Sequence, residues 1–172
     1  SGMSVVGLTA QLVKVEVDIS NGLPAFDIVG LANTSVKEAK DRVRSALRNS
    51  GFKVPLQRIT INLAPADLRK EGSGLDLPIA VGILAAMNEI DGSLLDDYVF
   101  AGELSLEGFL RPITGILTMA VNLRQLQTED SNLYGVRVES LAGKSVILVI
   151  PPGNLAEARI VPDIESQSVL DL

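Results

Sequence analysis

Apolar and polar residues alternate along LVKVEVD (12–18), the period-two pattern of a strand with one buried face. The run NGLP (21–24) is rich in turn formers, so AFDIVGL (25–31) reads as the return arm of a hairpin. At residue 34 the period changes. Within TSVKEAKDRVRSALRNS (34–50), Val36, Ala39, Val43, Ala46 and Leu47 fall on one stripe with the charges opposite, which predicts an amphipathic helix. Ser35 and Glu38 have the spacing of a capping box at its start, and Gly51 suits the left-handed residue that closes it. RITINLAP (58–65) alternates again, with Ile59, Ile61 and Leu63 on one face.

The stretch RKEGSGLDLPIA (69–80) leads into PIAVGILAAMNEI (78–90), apolar nearly all round and therefore a buried helix. Gly72 and Gly74 supply the unusual backbone angles of a sharp turn, Asp76 stands as the N-cap, and Pro78 falls in the first turn. YVFAGEL (98–104) and FLRPI (109–113) flank a Ser-Leu-Glu-Gly turn and predict a second hairpin. ILTMAVNLRQLQ (116–127) reads as a helix, TEDSN (128–132) as a polar loop and SVILVI (145–150) as a fully buried strand. GNLAEARI (153–160), after Pro151-Pro152, reads as a short helix. Strands and helices mix without regular βαβ alternation, so the expected fold is α+β, a single domain over residues 1–172. Ser1-Gly2 ahead of Met3 reads as an expression scar, and the apolar ending SVLDL points to a longer parent protein.

Composition narrows the chemistry. The chain has 172 residues, 47% of them hydrophobic and only 3% aromatic, so its core must be aliphatic. No run of eighteen apolar residues and no basic-then-apolar leader is visible, so the expectation is a cytoplasmic protein with no membrane partner. There is no cysteine and no histidine, which excludes a Ser-His-Asp triad, a Cys-His pair and a His-ligated metal from these residues. The net charge is −6, yet residues 37–70 hold nine of the fifteen basic residues against Glu38, Asp41 and Asp67. That segment is therefore +6 and the rest −12. Lys37, Arg44 and Arg48, spaced by seven and four, share one flank of the first helix, and Arg69 and Lys70 lie in the loop after the next strand. These five are the candidates for contact with DNA or with a neighbouring subunit.

Two motifs invite stronger chemistry. LAGKS (141–145) ends like a P-loop, but Val138 stands where the first glycine belongs and the strand VILVI follows where a helix should open. No nucleotide-binding residue is assigned. Ser73 would need Lys70 as its base, and a lysine three residues away in a glycine loop is more often solvated than activated. The expectation is no catalytic residue and no metal site, with a rearranged Ser73–Lys70 peptidase dyad or a pure oligomerisation module as the alternatives.

VEVDISNGLPAFDIVGL (15–31), VKEAKDRVRSALRNSGF (36–52), RITINLAPADLRKEGSGLDLPIAVGILAA (58–86) and AGELSLEGFLRPITGILTMA (101–120) together strongly resemble the N-terminal domain of the YifB/ComM family, the magnesium-chelatase-like AAA+ ATPases. The resemblance implies a fold similar to the proteolytic domain of Lon and the C-terminal domain of RadA, a mixed sheet with packed helices. In Lon the corresponding loop carries the nucleophilic serine and the turn after GELSLEGFLRPITG carries its lysine. Here those positions align with Gly74 and Leu117, so the resemblance implies a scaffold without the dyad. It also implies a downstream AAA+ motor that holds ATP and Mg2+, hexameric assembly, and DNA branch migration during natural transformation and recombination. The 172 residues themselves need no cofactor on this view, and a porphyrin or magnesium-chelatase role would rest on the family label alone.

Overall fold

The computed structural model describes residues 1–128, 141 and 143–172. The strands are β1 (Gly2–Val6), β2 (Thr9–Ser20), β3 (Ala25–Val29), β4 (Arg58–Ala64), β5 (Tyr98–Phe100), β6 (Glu103–Leu104), β7 (Leu110–Arg111), β8 (Ile147–Ile150) and β9 (Ser166–Ser168). The helices are α1 (Thr34–Asn49), α2 (Asp76–Ala86), α3 (Ile116–Thr128) and α4 (Leu155–Ala158). Seven strands form one mixed sheet in the order β3-β4-β2-β1-β5-β8-β9, and β6 and β7 form a separate small ribbon. The chain is an α+β single domain.

The period-two pattern of 12–18 lies inside β2, and its alternation feeds two cores. Leu12 packs with Met3, Val99, Leu148, Ile150 and the α3 residues Ile116, Met119, Ala120 and Leu123. Val13, one residue on, joins the opposite cluster, built from the α1 stripe, Ile59, Ile61 and Leu63 of β4, and Ile79, Ala80 and Ile83 of α2. Adjacent strand residues point to opposite faces, so α1 and α2 cover one face of the sheet and α3 and α4 the other. All five apolar residues predicted for the α1 stripe are buried.

Four local expectations are corrected. β2 and β3 do not form a hairpin: β4 lies between them, antiparallel to β2 and parallel to β3. The turn at 21–24 reverses the chain, but α1 then returns it so that β4 fills the gap. The second hairpin survives only as Glu103–Leu104 against Leu110–Arg111, while Tyr98–Phe100 belongs to the large sheet. The cap of α1 is Asn33, whose side chain accepts from Val36 N at 3.0 Å. Its backbone is extended and its N–H donates to Lys70 O at 3.1 Å, so the tertiary contact sets the cap geometry that Ser35 lacks. Asp76 does not cap α2. It is already the first helical residue, and its carboxylate turns inward. Gly51, at φ +94°, closes α1 as expected. Most of the TEDSN loop and Val138 lie outside the described residues.

Candidate functional site

Helix α1 turns about 100° per residue, which places Lys40, Arg44, Lys37 and Arg48 within roughly an 80° sector beside its buried stripe. All four are exposed, and none forms an ion pair with another described residue. The N-terminal half of this flank, Lys37 and Lys40, faces the outer edge of the sheet. There, Lys37 and Lys40 line a cleft of ≈ 440 Å³ together with Phe26, Asp27, Ile28 and Val29 of β3 and Arg58 and Thr60 of β4. Arg58 sits 3.7 Å from Asp27, an exposed pair that adds little stability. Lys37, Arg44 and Arg48 are thus brought together as their spacing implied. Lys40 and Arg58 complete the cationic surface but were not among the five candidates. Lys40 was within reach of the same helical spacing. Arg58 was not, because its place depends on β4 lying next to β3.

The other two candidates separate. The loop at 69–71 does reach the start of α1, through Lys70 N to Leu31 O at 3.3 Å and Asn33 N to Lys70 O. Arg69 remains exposed and pairs with Glu71 at 2.8 Å. Lys70 is fully buried, with its ammonium donating to the Pro65 carbonyl, and burial pushes its pKa down. As placed, Lys70 has no surface to offer to DNA or to a subunit, because its side chain is buried with the ammonium at the Pro65 carbonyl.

The glycine loop holds a polar network that sequence reasoning missed. Arg42 straddles Asp76, Nε to Oδ2 at 2.6 Å and Nη2 to Oδ1 at 2.9 Å, and also donates to Ser35 O at 3.2 Å. The Leu104 amide donates to Asp76 Oδ2 at 3.1 Å. Burial pushes the Asp76 carboxyl up, opposed by Arg42 and by that amide. One partner comes from α1, one from α2 and one from β6, so no local pattern links them. Their position ties the loop to the first helix.

Neither candidate dyad forms. Ser73 Oγ donates to the Glu103 carboxylate, and Lys70 is held at Pro65, so the two groups are engaged in different places. At Gly74 an added Cβ would stand 3.0 Å from Ile113 Cδ1 and 3.8 Å from Met119 Cε, an apolar wall. Leu117, on α3, presents an aliphatic side chain, and its amide donates to Glu157 at 3.0 Å. Ser73→Ala is expected to lower stability by about 1 kcal/mol or less, the net worth of one half-exposed hydrogen bond. A serine-reactive phosphonate is expected to leave the protein unlabelled by mass spectrometry; stoichiometric adduct at Ser73 would show an activated hydroxyl and refute this.

Downstream, Gly143 N donates to Gln127 O at 3.2 Å and Gln127 Nε2 donates to Lys144 O at 3.2 Å, tying the GKS segment to the end of α3. Strand β8 follows it, the wrong element to aim backbone N–H groups at a phosphate. Among the described residues, no group of three carboxylates gathers to hold a metal, and no helix is long and apolar enough to cross a membrane.

Residues 15–131 match the family model described as subunit ChlI of Mg-chelatase. The chain is 44% identical over 170 residues to competence protein ComM of Haemophilus influenzae, covering 97% of this chain and 30% of that protein. It is 53% identical over 115 residues to the uncharacterized protein YifB of Escherichia coli, covering 67% of this chain and 23% of YifB. An uncharacterized protein of Mycobacterium tuberculosis is 34% identical over 170 residues, covering 99% of this chain and 30% of that protein. The chain thus spans less than a third of the length of these relatives.

Proposed function

The chain belongs to the magnesium-chelatase ChlI family, in its ComM/YifB branch, and from that premise we propose that it is a non-catalytic, DNA-guiding domain of a ComM-type AAA+ ATPase. The observation that carries the reading is the exposed flank of Lys37, Lys40, Arg44 and Arg48, cationic on a chain whose net charge is −6. The parent protein then has a motor that binds ATP with Mg2+, assembles as a cytoplasmic hexamer and acts on DNA in competence and recombination. Gathering several copies in a ring multiplies a weak electrostatic contact into a track for the DNA backbone. The engaged Ser73 and Lys70 and the apolar wall at Gly74 support a role without peptide hydrolysis. With no aromatic-rich surface beside the cations, sequence-specific stacking is not expected.

The test uses the full-length protein. Arg44→Glu with Arg48→Glu should weaken DNA binding and reduce the slope of log K against log salt by about two, roughly 0.9 for each lost phosphate contact. ATP binding and ring size should be unchanged. Variants that bind DNA normally but fail to form rings would make the flank an assembly surface and end the DNA reading.

A further inference from the structure

The two edges of the large sheet differ. β9 at one end is three residues long and polar, Ser-Gln-Ser, the kind of short edge that resists further pairing. β3 at the other end is five residues long and pairs along one side with β4. No other described residue hydrogen-bonds to the backbone of Ala25–Val29. Its one charge, Asp27, is engaged by Arg58. Val29 is half exposed, and Leu31 just beyond it is more exposed still. At the other end Leu23 (87% exposed) and Leu56 (76%) each lie two residues before the Ala25–Arg58 pair.

The cationic cleft follows this edge. It is lined by four consecutive residues, Phe26 to Val29, and successive strand side chains point to opposite faces. A cleft touching four consecutive residues follows the strand. Lys37, Lys40 and Arg58 line it against the single carboxylate of Asp27. We infer that the free edge of β3 takes up an extended acidic segment of a partner protein as an eighth strand. The segment's backbone bonds to Ala25–Val29, its carboxylates face Lys37, Lys40 and Arg58, and its apolar ends meet Leu23 with Leu56 and Val29 with Leu31. Main-chain pairing supplies affinity in this mode and the side chains supply selectivity. The inference gives Lys37 and Lys40 to a protein segment rather than to DNA, and the DNA reading is tested separately at Arg44 and Arg48, which do not line the cleft.

The probe is a synthetic ten-residue peptide of Glu and Thr in alternating pairs, which sets carboxylates on both faces of an extended strand. It is titrated into the 172-residue chain and followed by amide NMR. Saturable binding is expected, with shifts centred on Ala25–Val29. N-methylation of alternate peptide amides, in the phase that faces β3, should weaken it about tenfold. Lys40→Glu with Arg58→Glu, both at exposed positions, should abolish it while the thermal midpoint stays within a few degrees. A Lys/Thr peptide should not bind. Equal affinity for both N-methylated phases would mean charge attraction without strand pairing and overturn the inference. It is also overturned if self-association of the chain perturbs the same amides without peptide, which makes a second copy the occupant. Oligonucleotide perturbing them more strongly than the peptide would make the cleft part of a phosphate track, with the same consequence.

Discussion

Replacing Arg42 by methionine is expected to destabilise the domain by about 3 kcal/mol, because it strands a buried carboxylate. Asp76 has no exposed surface, and its two oxygens take both guanidinium bonds and the Leu104 amide. Arg42 keeps 22% of its side-chain surface in solvent, which places the effect at the lower end for a broken buried pair. Changing both residues, Arg42→Met with Asp76→Leu, removes the orphaned charge as well and should recover most of the loss. Urea unfolding with an unchanged m-value measures all three variants. Additive single effects would show that the pair is not coupled.

The same variant predicts a pH dependence. Without Arg42, only the Leu104 amide opposes burial at Asp76, so its folded-state pKa rises further above the unfolded value of about 3.9. A raised carboxyl pKa penalises the folded state fully above the folded pKa, and the penalty vanishes below the unfolded one. The stability deficit of Arg42→Met relative to the parent protein should therefore shrink as pH falls from 7 toward 4. A deficit that is constant over that window would mean the loss is packing rather than charge.

Gly30→Ala is the second large effect. Gly30 directly follows β3 at φ +101°, and a Cβ there would collide with the backbone carbonyl of Leu63, a fully buried residue of β4. Backbone cannot swing away as a flexible side chain can, so β3 and β4 must part. A loss of about 3 kcal/mol or more is expected, from strain and from displaced strand pairing together. Gly51→Ala is the control: it has a similar φ of +94° and open space around the added carbon. That change should lose only about 1–2 kcal/mol, the conformational term alone. Equal losses at the two sites would show that the contact with Leu63 is not what demands glycine. Because β3 also borders the cationic cleft, Gly30→Ala should disorder that edge first, seen as faster amide exchange in Ala25–Val29 than in β2.

What the sequence determined by itself is local. The period of 3.6 over 34–50 specified α1 and its buried stripe, and the period of two specified β2 and β4, because each pattern says which face of one element avoids water. The crowding of cations into 37–70 and their spacing on α1 were equally legible, and long ordered stretches pointed to the family. Tertiary structure decided the rest, for a physical reason that recurs at each point. Backbone edges carry no side-chain signature, so nothing in 12–31 says that β4 will separate β2 from β3. Arg58 joins Lys37 and Lys40 only because of that insertion. Asp76 has the sequence context of a helix cap, but a partner thirty-four residues away claims its carboxylate. Lys70 reads as a surface charge, yet its backbone bonds to Leu31 and Asn33 and its buried ammonium donates to the Pro65 carbonyl. Burial and pairing are properties of the packed whole, and a charged residue's neighbours in sequence do not reveal which groups will replace its water.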